Sequence, residues 1–314
     1  MPKLIAFSGG VGGSKLVQGL AALVDPRDLL VVANTGDDFE HLGLHVSPDI
    51  DTVIYTITGR VNPSTGWGIA GETWSFMKML ATLGGPTWFN LGDGDLALHV
   101  LRSYRLRAGE SLTAIVEDYC RSLGVPFRLL PMTDDPVRTM VETDEGVLAM
   151  QNYFVERRCE PRVLAVRYAG AAVAQPNAAL LAALCDPALE GLILCPSNPF
   201  LSIGPILAVP GLRDRMAESK VPVVAVSPIV AGQALKGPTA KMMFELGLEV
   251  SAAAVAQLYH GVVTDFVLDR QDESQQDTIR ALGMRTCIAE TVMRDSETRI
   301  ELARTVLRVI GASS

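Results

Sequence analysis

Residues 6–23 read AFSGGVGGSKLVQGLAAL, with Gly9, Gly10, Gly12 and Gly13 between an apolar run and a helical repeat. Residues 3–8 and 28–35 are apolar runs of strand length, and between them Leu16, Val17, Leu20, Leu23 and Val24 fall on one helical face. The chain therefore starts as strand, glycine turn, helix, strand. The same alternation returns late, with strands GLILC (191–195) and PVVAV (222–226) among helical segments near 175–185, 208–217, 239–246 and 251–259. Such alternation predicts an α/β fold, a mostly parallel sheet covered by helices on both faces. An amphipathic helix around 104–125 and short alternating segments from about 127 to 167 interrupt the pattern. They predict an inserted subdomain over approximately 108–170, within one domain spanning 1–314.

The turn fits neither familiar phosphate loop. A Walker loop ends Gly-Lys-Ser/Thr, and here the order is Gly13-Ser14-Lys15. A dinucleotide fingerprint places its third glycine where Lys15 stands and an acid after the second strand, which here ends in Asn34 and Thr35. What both loops share remains: glycines let the backbone approach closely, and a helix N-terminus offers free N–H groups to an anion. A tight turn without ligand is the alternative.

Composition narrows the function. The chain has 314 residues with 27 basic and 35 acidic side chains, a net charge of −8, and no basic run, which argues against nucleic acid as a partner. Its five cysteines, Cys120, Cys159, Cys185, Cys195 and Cys287, form no C-x-x-C pair and suit core positions in a reducing cytoplasm. No signal segment is expected from MPKLIAFSGG, and the apolar runs fall short of the ~20 residues of a membrane span.

In a parallel sheet, ligands gather at the carboxyl ends of strands, and the unusual loops stand there. NTGDDFEHLGLHVSPDIDT (34–52) carries Asp37, Asp38, Glu40, His41, His45, Asp49 and Asp51. Carboxylates with few imidazoles suit magnesium, with phosphate oxygens completing the shell. Zinc fits less well, because His41 and His45 lack the flanking glutamate of a zincin. Asp49 also reads as a helix-start residue beside Pro48. GDGDLALH (92–99) opens a helix with two acids, Asp93 and Asp95, that complement its dipole. Trp67 sits among glycines, placed either to lie against an aromatic ring or to plug a mobile loop. Asn198, Ser202, Ser227 and Lys236 offer donors for a base or a diphosphate. No Ser-His-Asp arrangement is indicated, so chemistry would come from positioning and charge stabilisation around phosphate.

Together these loops resemble the 2-phospho-L-lactate transferases of coenzyme F420 biosynthesis, the CofD/FbiA family. The matching stretches, in family order, are SGGVGGSKL, NTGDDFEHLGLHVSPDIDTVIYTITG, GWGIAGETW, LGDGDLALH, SNPFLSIGPIL and SPIVAGQALKGP. The resemblance implies a Rossmann-like core, magnesium as cofactor, and transfer of a phosphorylated three-carbon acid (phospholactyl, phosphoenolpyruvyl or phosphoglyceryl) from a guanosine diphosphate donor to the deazaflavin Fo, releasing GMP. Residue by residue it implies Gly10, Gly12, Gly13, Lys15, Asn198, Ser202, Ser227 and Lys236 at the donor, and Asp51, Trp67, Asp93, Gly94 and His99 at Fo. Asp38 and Asp51 are the implied metal ligands, and one of them would orient or deprotonate the ribityl hydroxyl. A cytoplasmic homodimer is expected.

Two positions depart from the family pattern. Val11 replaces a more usual threonine, and Gly94 stands where relatives commonly carry arginine or lysine. Either another cation such as Lys15 or Arg60 takes over at Gly94, or the pocket is widened for a bulkier acid. A nucleotide-sugar-binding regulatory protein of the gluconeogenesis-factor type is the competing reading, since its glycine loop is similar.

Overall fold

The computed structural model of the chain describes residues 2–313. Its strands are β1 (Leu4–Ser8), β2 (Leu29–Ala33), β3 (Phe39–His41), β4 (Leu44–Val46), β5 (Arg128–Pro131), β6 (Arg138–Thr143), β7 (Gly146–Ala149), β8 (Val163–Ala169), β9 (Gly191–Leu194), β10 (Val223–Val226), β11 (Ile229–Val230), β12 (Gln233–Ala234), β13 (Asp265–Asp269) and β14 (Arg285–Ala289). Its helices are α1 (Gly10–Ala21), α2 (Pro48–Ile57), α3 (Ser75–Thr82), α4 (Asp93–Arg107), α5 (Leu112–Leu123), α6 (Ala178–Leu184), α7 (Gly204–Ala208), α8 (Leu212–Ala217), α9 (Thr239–Glu245), α10 (Ala252–Leu258), α11 (Gln276–Ala281) and α12 (Ser296–Ser313).

The central sheet has seven strands in the order β14-β13-β10-β9-β1-β2-β5, every neighbouring pair parallel. β1, β2, β9 and β10 are buried along their whole length, as strands covered on both faces must be. Alternation within each strand divides the core. Ile5, Phe7, Leu30 and Val32 point into one layer, while Leu4, Ala6, Leu29 and Val31 point into the other, against Leu16, Val17 and Leu20 of α1.

Strand order fixes where a ligand has room. From β1 the chain builds outward through β2 to β5, then returns to β9 and builds the other way to β14. The connections therefore diverge between β1 and β9, and the carboxyl ends of these two strands open a crevice. Gly12 belongs to that geometry: a Cβ there would stand 2.2 Å from the Pro196 carbonyl oxygen after β9, so only glycine admits the approach. Gly13 is held the same way, its Cβ position 2.4 Å from Ser8 Oγ.

The insertion has different limits from those expected. β5 pairs with β2 from Leu30↔Arg128 to Ala33↔Pro131, and α5 buries Ile115, Val116 and Tyr119 in the main core. Both belong to the central layers, because an amphipathic helix and an apolar strand need a partner surface that only the main sheet offers. The separate unit is the antiparallel sheet β7-β6-β8, between residues 138 and 169. A small apolar cluster around Val141, Tyr153 and Val163 joins it to Leu201 and Met242 of the rest of the chain. Among the described residues, no helix is long and apolar enough to cross a membrane.

Candidate active site

A cavity of about 500 Å³ occupies the crevice between β1 and β9, within the usual range for small-molecule sites. Its floor is the glycine turn. Gly10 adopts φ +62°, which favours glycine, and starts α1. Gly9 donates its N–H to Ser197 Oγ at 3.2 Å, and Gly10 donates to Asp49 Oδ1 at 2.6 Å. The Gly10 N–H is therefore spent within the protein. Val11 and Gly12 follow at the first turn of α1, where helix N–H groups lack intrahelical acceptors, and both line the cavity. Gly13 lies behind, packed on Ser8 and Ser197.

Two ammonium groups border this turn. Lys15 Nζ donates to the Met293 carbonyl at 3.0 Å, and Lys236 Nζ donates to the Thr65 carbonyl at 2.8 Å. Neither has a carboxylate partner among the described residues, in a chain with an excess of acids. Burial, followed by the nearby charges of Arg299 and Lys236, pushes the Lys15 ammonium below its usual range. Two ammonium groups that border the glycine turn unpaired, while the carboxylates Asp49, Asp51 and Asp95 line the same cavity, can take an anion at the turn.

Asn198, Ser202 and Ser227 also line the cavity, but their side chains are partly engaged. Asn198 Oδ1 caps the turn after it by accepting from Phe200 and Leu201 N–H, and Ser227 Oγ donates to the Ile229 carbonyl. Ser202 is packed against Gly9, whose Cβ would fall 2.4 Å from its own.

On the opposite wall α2 and α4 face each other. Residues four apart on a helix share a face, so Asp51 and Tyr55 of α2 meet Asp95 and His99 of α4. Tyr55 Oη donates to Asp95 Oδ1. The fully buried Arg102 grips Asp51 with both terminal nitrogens, one bond measuring 3.0 Å to Oδ2. Burial pushes the Asp51 carboxyl up, against the opposing pull of Arg102. Burial also acts on Asp95, but His99 and Tyr55 outweigh it and hold that carboxyl below its usual range.

Asp51, Asp95 and His99 each offer one ligand atom, all within 4.8 Å of one another. His99 Nε2 is buried without a hydrogen-bond partner, although it lies 3.3 Å from Asp95 Oδ1. Two carboxylates and an imidazole nitrogen beside an anion site form a donor set that fits a divalent cation.

Several expected residues are placed elsewhere. Asp38 does not line the cavity and is not part of the group Asp51, Asp95 and His99. Its Oδ2 accepts from Ser47 Oγ at 2.8 Å and lies 3.0 Å from His45 Nε2, inside the β3-β4 segment. His41 packs edge-on against Trp88 with ring centres 5.0 Å apart, among aromatic rings, and burial pushes its imidazole below the usual range. Asp93 does not reach the cavity either, since it accepts from Thr73 Oγ1 and from the N–H groups of Ser75 and Phe76, pinning the start of α3.

Gly94 leaves no gap at the wall. Glu72 sits over it, accepting from Gly94 N–H and Asp95 N–H at 2.7 Å each, and a Cβ on residue 94 would meet Glu72 Oε1 at 3.1 Å. Neither a substitute cation nor a wider pocket is needed to fill that place. Trp67 does line the cavity, with half its surface exposed, and Trp88 and Phe89 form an aromatic wall with Phe39 behind them.

Sequence reading missed Tyr55, Asp95 as a wall residue, Arg102 and Glu72. The spacing Asp51/Tyr55 and Asp95/His99, each four residues apart, is the signal that would have found the first two. Glu72 and Arg102 carried none, because their partners lie 22 and 51 residues away in the chain.

Comparison with known proteins adds an independent observation. The family model for 2-phospho-L-lactate transferase CofD matches residues 4–309. A phosphoenolpyruvate transferase of Kitasatospora aureofaciens is 40% identical over 312 residues, covering 97% of each chain. A 2-phospho-L-lactate transferase of Methanosarcina barkeri is 36% identical over 304 residues, again covering 97% of each. Among solved structures, a UPF0052-family protein of Bacillus halodurans shares the fold with a TM-score of 0.65 at 15% identity, covering 98% of this chain and 100% of that one.

Proposed function

Because the chain belongs to the 2-phospho-L-lactate transferase CofD family, we propose that it moves a phosphorylated three-carbon acid from a guanosine diphosphate-linked donor to the terminal ribityl hydroxyl of the deazaflavin Fo. The observation that carries this reading is the pair Lys15 and Lys236, two ammonium groups without carboxylate partners beside the glycine turn. A diphosphate supplies the missing negative charge, and the N–H groups of Val11 and Gly12 extend the cradle.

Fo, a flat aromatic with a polyhydroxyl tail, suits the part of the cavity lined by Trp67, Trp88 and Phe89, with its tail toward Asp51. Asp51, fixed by Arg102, orients the hydroxyl and takes up its proton. The hydroxyl oxygen bonds to the phosphorus next to the three-carbon acid, and the bond from that phosphorus to the bridging oxygen breaks, releasing GMP. A bound magnesium ion would neutralise charge on the diphosphate, and Asp51, Asp95 and His99 are the residues that would hold it. The acid is phospholactate, phosphoenolpyruvate or phosphoglycerate; relatives bearing the first two names are about equally similar.

Calorimetric titration with GDP tests the carrying observation. Lys15→Ala and Lys236→Ala should each weaken binding by about ten- to a hundredfold, the scale of one charge-assisted contact. Unchanged affinity in both variants would remove the donor from this turn.

A further inference from the structure

Residues 60–74 form a loop that bears Trp67 and closes one side of the cavity. Its root is fastened at several points. Ala70 N–H donates to the Arg60 carbonyl at 2.7 Å, Val61 and Ile69 form a bridge, and Glu72 accepts from the start of α4. Its tip is fastened differently. Asn62 N–H donates to Gly68 O at 2.9 Å and Gly66 N–H to Asn62 O at 2.8 Å, so the tip keeps its own shape. Among the described residues, the tip's hydrogen bond to the rest of the chain is the one from Lys236 Nζ to the Thr65 carbonyl. Gly66, at φ +81°, lies so near Val11 of the glycine turn that a Cβ would fall 2.8 Å from Val11 Cγ1, and 3.1 Å from Lys236 Nζ.

Lys236 thus stands between the anion site and the tip. An ammonium has three N–H donors, and the Thr65 carbonyl takes one. The others remain for an anion in the cavity that Lys236 lines. We propose that Lys236 is a strap between the donor and the Trp67 loop: an anion bound on the glycine turn immobilises the ammonium, which holds the Thr65 carbonyl and keeps the tip in place over the cavity. Trp67 is half exposed in the structure, and a tip held in place offers its ring as part of the wall for the flat acceptor. Binding would then be ordered, the phosphate-bearing donor first and the acceptor second. The inference rests on the donor-site reading above, and it makes Lys236 a positioning residue for Trp67 as well as an anion contact.

Backbone hydrogen exchange over residues 62–68, followed by mass spectrometry with and without GDP, separates the two. In the wild type, GDP at saturation should slow exchange of the tip on the order of tenfold, as local opening becomes rarer. In Lys236→Met, brought to saturation at higher GDP, the tip should exchange as fast as in the free protein, and Lys236→Arg should restore part of the protection. Lys15→Ala is the control: it removes an anion contact but keeps the strap, so GDP at saturation should still slow the tip. GDP saturation of the wild type by calorimetry with unchanged exchange at 62–68 would overturn the strap and leave the donor site standing. Equal protection in wild type and Lys236→Met would overturn it too. Failure of GDP to bind the wild type would overturn the donor-site reading, and the strap with it.

Discussion

Asp49 carries a cost that depends on pH. Its carboxyl is buried beside the glycine turn, accepts from Gly10 N–H and Asn34 Nδ2, and is nevertheless pushed up to about 6 by burial. A carboxyl that holds its proton more tightly when folded than when unfolded favours the folded state at low pH. That advantage disappears as pH rises from about 4, where the unfolded chain ionises, to about 6, where the folded one does. Two pKa units correspond to at most about 3 kcal/mol. Asp49→Asn removes the titration, so in metal-free buffer its stability relative to wild type should grow with pH over that window, read by urea unfolding at pH 4, 5, 6 and 7. Parallel profiles for the two proteins would show that Asp49 titrates alike in both states. At Asp51 the expectation concerns rate: Asp51→Asn should lower turnover by on the order of a hundredfold, and chelation with EDTA should abolish it if a divalent cation is required. Full activity in EDTA would exclude the cation.

Elements show which parts of the site a linear reading reaches. The glycine turn was legible because its residues are contiguous, but the division of labour among its glycines was not. Gly12 and Gly13 answer to Pro196 and Ser8, which the sheet brings near only after β9 has paired with β1. Gly12→Ala must therefore displace backbone, and should cost about 1–3 kcal/mol with a matching fall in Tm. The acidic segment 37–51 was legible as a cluster, yet folding splits it. Asp38 turns to His45 and Ser47, Asp49 supports the turn, and Asp51 faces α4. A local count of carboxylates carries no information about which strand or helix each will point from. α4 is where that matters most, since Asp95, His99 and Arg102 reach Asp51 from one helical face. Removing the guanidinium leaves Asp51 buried and unpaired, so Arg102→Met should lower stability by about 3–5 kcal/mol in denaturant melts. A loss below about 1 kcal/mol would mean water or His99 already compensates Asp51.

At the scale of the molecule, the alternation of apolar strands and helices was enough to fix a parallel sheet with ligand loops at its carboxyl edge. The limits of the small antiparallel unit were not readable, because α5 and β5 look from sequence like its neighbours while their apolar faces belong to the main core. The order β5-β2-β1-β9 places the turn of residues 9–13 opposite the loop of 195–203, and the late loop of 227–238 brings Lys236 to the same cavity. Three segments far apart in the chain therefore line one cavity, and α2 and α4 bring carboxylates to it. The most direct test is to incubate the protein with Fo, magnesium and each of the three guanylylated acids, and to follow both products by mass spectrometry. The expected result is Fo increased by one phosphorylated three-carbon acid, with an equal amount of GMP, for at least one donor. Unaltered Fo with all three, from protein that binds GDP, would contradict the transfer itself.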